Sequence, residues 1–396
     1  EIRFSEVHAH VHGVIAAIAP HDSVERFEGL GVHVIKAAAR FVDPQTIEAN
    51  GQKIKARRFI VATGSRAAVP PIPGLSDVGF LTNESIFELT ECPEHLIVIG
   101  GGPIGIEMAQ SFCRLGARVT VIEKFGILAK DELEAVHVVR ASLLSDGVDI
   151  IEGVGVAGVH REDAGIIVTL DGTPQRTISA SHVLVAAGRR PNVEELGLAS
   201  AGITFSPKGI AVDARLLTSN RKVFAIGDVS GGPQFTHIAG YHAGIVIWNA
   251  LFGLPAKVDY AALPWVTYSD PELAHAGLTE AEARKSGHRI QILTWSFELN
   301  DRAQAERATQ GLAKIVLGPK GSILGATIVG PRAGELIGTW GLAISAKLKI
   351  GAVASAILPY PTLGEISKRV AGSYYTPKLY GPLTRRVVGL VQRLLP

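Results

Sequence analysis

The segment Ile99 to Glu107, IGGGPIGIE, constrains this chain more than any other stretch. Its Gly100, Gly102 and Gly105 stand in G-x-G-x-x-G spacing. The apolar run HLIVI, residues 95–99, precedes it, and the helical pattern PIGIEMAQSFCRLG follows. A second apolar run, ARVTVIEK, comes next. Strand, glycine turn, helix and strand in that order form a βαβ unit with parallel strands. In that setting each glycine has a reason. The first permits a tight turn, the second lets the backbone approach a pyrophosphate, and the third lets helix and strand pack closely. The anion then sits where the free N–H groups and the helix dipole point. Glu123 closes the second strand, 18 residues beyond Gly105. A carboxylate there accepts from adenosine ribose hydroxyls and repels a 2′-phosphate, so NAD(H) is favoured over NADP(H). Lys124 beside it weakens that preference. A plain packing turn with a solvated Glu123 is the bland alternative.

The remaining texture fits a multi-domain α/β enzyme. The 396 residues suffice for two to three domains. With 47% apolar and 19% charged residues, large buried cores are expected. A net charge of +2, with both signs dispersed, gives no electrostatic footprint for nucleic acid. The two cysteines, Cys92 and Cys113, are no disulfide framework and fit a reducing cytoplasm. No apolar run is long enough to suggest a membrane span. Two further strands end in small, glycine-bearing turns. RFIVATGS, residues 58–65, reads as a buried strand ending near Thr63 and Gly64, and SHVLVAAGRRPN places Gly188 similarly. VFAIGDVSGG ends another strand with Gly227 and the lone carboxylate of Asp228, before a helix through His237 to Leu251. From residue 259 onward, strands such as LAKIVLG alternate with helices such as AGELIGTWGLAISAKL, the texture of a separate α+β domain.

Several separated motifs in a fixed order now carry a resemblance. ATGS at 62–65, GGGPIGIE at 100–107, AAGRRPN at 186–192, AIGDVSG at 225–231, YSDPELAHAGLTE at 268–280, LNDRAQA at 299–305 and YPTLGE at 360–365 together resemble the pyridine nucleotide–disulfide oxidoreductases. Within them the mercuric reductase-like and dihydrolipoamide dehydrogenase-like branch is the most similar. The resemblance implies two Rossmann-like dinucleotide-binding domains, for FAD and NAD, and a C-terminal α+β dimerisation domain. The implied boundaries are 1–69 for a partial FAD-binding domain, 70–188 for the NAD(P)-binding domain, 189–258 for the return segment of the FAD-binding domain, and 259–396 for the dimerisation domain. It implies a cytoplasmic homodimeric flavoprotein that moves a hydride from NADH to flavin and electrons on to a disulfide, a metal or another small-molecule acceptor. Asp228 would bond a ribitol hydroxyl of FAD, with capping of the following helix as its plainer role. Thr63 and Gly64 would lie near the flavin's diphosphate and ribityl side. Glu107 would pair with a lysine beside the flavin ring.

That lysine, an earlier glycine-rich unit and a Cys-x4-Cys pair precede these motifs in the family, so the chain is expected to begin inside a longer protein. Cys113, inside the nucleotide helix, reads as an inert core residue. Tyr360 stands where the family's disulfide reductases place a proton-shuttling histidine, with Glu365 five positions on. A phenol is a poor base at neutral pH. This argues against thiol turnover and opens a second reading, a flavin-linked NADH:quinone or acceptor reductase without a cysteine relay. A third is a non-catalytic nucleotide-sensing dimer. Tyr360-Pro361 is a candidate cis bond. His8, His10 and His12 lie on a helical pattern where only His8 and His12 align. No cysteine or carboxylate nearby completes a set, so no metal is expected. The basic, amphipathic RRVVGLVQRLL tail is compatible with an anionic membrane surface, but docking on a partner subunit is favoured.

Overall fold

The computed structural model describes residues 2–162 and 165–395. The chain divides into two compact units. The first comprises Glu1–Gly100, Leu115–Ala117 and Gly155–Asp259. It opens with the helix Phe4–Ile18, which buries none of its residues. The short strand Phe59–Val61 pairs in parallel with Val223–Ala225, matching Phe59 to Val223 and Val61 to Ala225. Phe59 and Val61 join Val193, Leu198, Val223 and Val229 in a core, where Phe41 meets Phe59 edge-to-face at 5.4 Å. Ile60 between them is 51% exposed. The stretch read as wholly buried is therefore one-faced, as the two-residue side-chain period of a strand dictates. His95–Ile99 is buried throughout and pairs in parallel with His182–Val185. Val156–Glu162, Gly165–Leu170 and Thr177–Ala180 form an antiparallel trio.

The second unit comprises Gly101–Arg114, Arg118–Val154 and Tyr260–Pro396. Its nucleotide-motif portion holds the helix Pro103–Arg114 and the strand Arg118–Glu123, which pairs in parallel with Asp149–Glu152. Between these strands runs the helix Leu133–Asp146, ended by Gly147 in the left-handed region at φ 100°. Glycine is favoured there because it lacks a Cβ. The C-terminal part is a five-stranded antiparallel sheet in the order Pro264–Thr267, Glu272–Gly277, Ile323–Gly330, Leu312–Leu317, Gln291–Ser296. The helix Ala333–Ser345 contributes Ile337 and Trp340 to its core, and the fully buried Trp340 indole donates to Ser367 Oγ at 3.1 Å.

A buried ion cluster lies inside this unit, around Lys314. The Lys314 side chain is 3% exposed, and its ammonium meets Glu132 and Glu134 at 2.9 Å and Glu280 at 2.8 Å. A buried charge needs such partners, because desolvation without them costs several kcal/mol. Tyr360-Pro361 is cis, as its sequence suggested, and so is Asp270-Pro271. The helix Pro382–Leu394 buries none of its residues, with Leu383, Leu390 and Leu394 all exposed. Among the described residues no helix is long and apolar enough to cross a membrane.

Candidate dinucleotide-binding sites

In the first unit, parallel pairing of Phe59–Val61 with Val223–Ala225 brings two strand ends side by side. Ile226 N–H continues the ladder to Val61 O at 3.0 Å. The chain beyond one end is Ala62-Thr63-Gly64, and beyond the other Gly227-Asp228. Crevices outside the carboxyl ends of parallel strands are where open α/β folds bind ligands. Thr63 and Gly64 are held by Asn192. The Thr63 hydroxyl donates to Asn192 O at 2.8 Å, Asn192 Nδ2 donates to Thr63 O at 2.9 Å, and Asn192 N–H donates to Gly64 O at 2.9 Å. The strand Ser65–Ala67 then pairs antiparallel with Arg189–Pro191. Gly64, at φ 67°, and Gly188, at φ 112°, both have open space where a Cβ would stand.

Asp228 belongs to this cluster. Its side chain is 18% exposed and accepts from the Ser65 hydroxyl. Arg189 Nε donates to Ser65 Oγ at 2.7 Å and lies 3.5 Å from Asp228 Oδ2. The chain from arginine through hydroxyl to carboxylate fixes the acid at the strand mouth. Asp228 sits in the short helical turn Gly227–Ser230, whereas the longer helix Thr236–Ala250 has Phe235 at its N-cap and no side-chain cap. The capping role is thereby removed. Gly227, at φ 66°, donates its N–H to Nδ1 of the buried His242 at 3.0 Å. Burial holds the His242 pKa below the ordinary histidine value, which favours the neutral ring that this acceptor role requires.

In the glycine turn, Gly100 takes the positive φ that glycine readily adopts. Gly100 has φ 115°, and a Cβ there would stand 2.4 Å from Ala186 O, so only glycine fits. Gly102 has nothing within 4 Å of that position, which leaves backbone open to a ligand. Gly105 is buried in the helix Pro103–Arg114. Glu123 folds back on the turn, its Oε2 accepting from Gly101 N–H at 2.6 Å and its Oε1 from Phe125 N–H at 2.9 Å. A glycine-rich turn with an open second glycine, a helix N-terminus and an anchored acid fits an adenine dinucleotide. The Thr63-Gly64 and Gly227-Asp228 crevice fits the hydroxyl-rich linker of a second one.

The three expected catalytic residues lie in the second unit on different segments. Glu107, Gln110 and Arg114 share one face of the nucleotide helix and grip the turn at Tyr268–Asp270. Glu107 Oε1 accepts from Tyr268 N–H at 2.8 Å, Gln110 Oε1 accepts from Asp270 N–H at 2.7 Å, and Arg114 pairs with the Asp270 carboxylate at 2.6 Å. Burial raises the Glu107 pKa, and the Tyr268 amide partly offsets it. Tyr360 is exposed and donates its hydroxyl to Asp301 Oδ2 at 2.7 Å. That bond, reinforced by the charges of Asp301 and Glu365, lifts the phenol above its ordinary value, further from any role as a base near pH 7. Glu365 begins the helix Glu365–Ser373, one turn before Arg369.

Sequence reasoning missed Asn192, Ser65, Arg189, His242 and Asp301. Ser65, Arg189, Asn192 and Asp301 lie inside the motifs quoted above, but their partners are between 59 and 163 positions away. Cys113 is less deeply buried than expected; its thiol donates to Asp146 O at 3.2 Å, and burial raises its pKa. One expectation is corrected outright. A carboxylate does stand beside His8 and His12, supplied by Glu88 from the turn Ile86–Glu88.

Comparison with known proteins agrees with this geometry. Residues 9–243 match the family model described as pyridine nucleotide-disulphide oxidoreductase, and residues 263–371 match its dimerisation domain. A mercuric reductase of Staphylococcus aureus is 36% identical over 364 residues, covering 91% of this chain and 66% of that protein. A dihydrolipoyl dehydrogenase of Geobacillus stearothermophilus is 38% identical over 352 residues, covering 87% of this chain and 74% of that one. The chain spans only 55% of the mercuric reductase of Bacillus cereus, so it corresponds to part of such relatives. Among solved structures, LpdA of Mycobacterium tuberculosis superposes with a TM-score of 0.87 at 26% identity, covering 94% of this chain and 84% of that one. The HOCl-induced flavoprotein disulfide reductase RclA of Escherichia coli superposes with a TM-score of 0.80 at 28% identity, covering 86% and 79%.

Proposed function

The chain belongs to the pyridine nucleotide-disulphide oxidoreductase family, and from that premise we propose that it is the greater part of an FAD-dependent NADH oxidoreductase acting as a homodimer. The observation that carries this reading is the pair of strand mouths presenting Thr63-Gly64 and Gly227-Asp228, together with the separate glycine turn from Gly100 to Gly105. When bound, the flavin accepts a hydride from the nicotinamide and passes two electrons to a disulfide, metal ion or other acceptor. The chain's own residues bind and orient. Asp228, steadied by Ser65 and Arg189, accepts from a ribitol hydroxyl. Gly64 and Gly188 keep the backbone open beside the linker, and Thr63 is held there by Asn192. Gly102 and the first turn of the nucleotide helix receive the pyrophosphate of NADH. Glu107, by the family resemblance, pairs with a cationic side chain of the intact protein, and its Oε1 accepts from Tyr268 N–H at 2.8 Å. The domain boundaries at 69, 188 and 258 follow the same reading. Steady-state NADH oxidation by the intact protein with a dye acceptor tests it; bound FAD with no turnover would favour a nucleotide-sensing dimer instead.

Glu123 carries the preference for NADH in this proposal. Replacing it with alanine is expected to lower kcat/KM for NADH by about 10–100-fold, the worth of a charge-assisted hydrogen bond. NADPH is expected to lose far less, because the repulsion goes too. The ratio of the two kcat/KM values checks this. A merely structural role at Gly101 and Phe125 would lower both coenzymes together and leave the ratio where it was.

A second reading, in which electrons leave the flavin without thiol acid–base chemistry, draws support from the Tyr360–Asp301 bond. A phenol lifted above its ordinary value does not titrate between pH 6 and 9. Tyr360→Phe is accordingly expected to change NADH–dye turnover less than about twofold, with an unaltered pH profile over that range. Loss of one limb of the profile in the variant would return Tyr360 to proton transfer.

A further inference from the structure

We propose that His8, His12 and Glu88 form a binding site for a divalent transition-metal ion of the zinc, nickel or copper type. One donor atom from each lies within 4.8 Å of the other two. His8 and His12 are four positions apart on the helix Phe4–Ile18, so the helical period places them on one face. Their rings sit 4.2 Å apart, centroid to centroid, at 40°. Glu88 reaches the same point from a different segment, with Oε2 at 3.8 Å from His12 Nε2. His12 Nε2 is also 3.2 Å from Phe87 O, a contact that places the ring at the Ile86–Glu88 turn and that gives way if this nitrogen takes the metal.

Two imidazoles and a carboxylate match the ligand preference of these ions rather than that of magnesium or calcium. Tetrahedral coordination with metal–nitrogen distances near 2.0–2.1 Å places donors about 3.3 Å apart. Closing from the observed spacing takes rotation of side chains, and the Glu88 side chain, at 68% exposure, is free to swing. Three protein ligands leave a fourth position for water. The consequence is structural. The helix Phe4–Ile18 approaches the Ile86–Glu88 turn through His12. A metal bridging it to the Ile86–Glu88 turn would pin it to the rest of its unit, because binding energy adds to the stability of the liganded state.

Zn²⁺ titration of the tag-free, chelator-stripped intact protein by calorimetry tests the site, with His8→Ala, Glu88→Gln and His10→Ala compared with wild type. Glu88→Gln and His8→Ala are each expected to weaken one Zn²⁺-binding event at least tenfold. His10→Ala, off the shared face, is expected to leave it unchanged. A Zn²⁺-dependent slowing of amide exchange in residues 4–18, lost in Glu88→Gln, is the second expected result. If Glu88→Gln binds like wild type, or His10→Ala weakens binding as much as His8→Ala, the ion is held by the histidine-rich peptide alone and the proposal falls. These readouts are independent of turnover, so they stand apart from the proposed oxidoreductase activity.

Discussion

Lys314→Ala is expected to destabilise the protein by about 3–5 kcal/mol, the usual effect of removing one partner from a buried ion cluster. The ammonium answers three carboxylates at once, and Glu132 among them is only 7% exposed. Burial alone would lower the Lys314 pKa, but the carboxylates outweigh it and push it above the ordinary value. Lys314 in turn holds the Glu280 pKa down, with help from Arg284, and at Glu134 it overcomes the opposing effect of burial. A carboxylate with a lowered folded pKa contributes stability above the unfolded value of about 4.3 and loses it as pH falls through the folded value. Wild-type stability should therefore fall on acidification below about pH 4–5 through these groups. The variant lacks the buried ammonium, and protonating the carboxylates left around its place relieves repulsion. The difference between the two proteins is expected to be largest near pH 7 and to shrink toward pH 4, followed by thermal melts at fixed coenzyme concentration. Glu134→Gln, at an exposed partner, should cost no more than about 1 kcal/mol. A gap between Lys314→Ala and wild type that is independent of pH would make Lys314 a packing residue only.

Asp228→Ala is expected to weaken FAD binding by about 10–100-fold, because a charge-assisted hydrogen bond to a ligand hydroxyl contributes about 1.5–3 kcal/mol. The carboxylate is already positioned by Ser65 and Arg189, so no ordering cost offsets the bond. Asp228→Asn keeps an acceptor and should fall between wild type and alanine. Released flavin, measured by fluorescence after gel filtration of the intact variants, reads the effect. Equal flavin retention by wild type and Asp228→Ala would remove Asp228 from the site. A comparable loss on replacing His242 with alanine would point to the Gly227 turn as the means of placing Asp228.

What could be read in advance was what is local. Gly100 needs its positive φ because Ala186 O stands 2.4 Å from where a Cβ would go, yet strand, glycine and helix are contiguous in sequence and announce that need. The parallel pairing of Phe59–Val61 with Val223–Ala225 was less visible, since over 160 residues separate the strands and each is only three residues long. Asn192 illustrates the limit. It sits in a quoted motif, but its work on Thr63 and Gly64 depends on the antiparallel pairing of Ser65–Ala67 with Arg189–Pro191. Lys314 hid inside an apolar strand, where alternation suggests a solvated side chain. Both faces of Leu312–Leu317 are covered instead, and the acids arrive from elsewhere in the chain. Glu88 escaped notice beside His8 and His12 for the same reason. Tertiary partners decide such positions, and periodicity carries no record of them.

The most direct measurement is an anaerobic titration of the FAD-loaded intact protein with NADH, followed at the flavin absorbance band. Oxidation of the added NADH with electrons entering through the flavin is the result expected from a dinucleotide turn at Gly100–Gly105 serving a flavin anchored by Asp228. Bleaching is complete near one equivalent where the flavin is the only acceptor and near two where a protein disulfide takes the first electron pair. NADH that binds but is not oxidised even in excess, with the flavin unreduced throughout, or a protein that takes up neither coenzyme, would contradict the account.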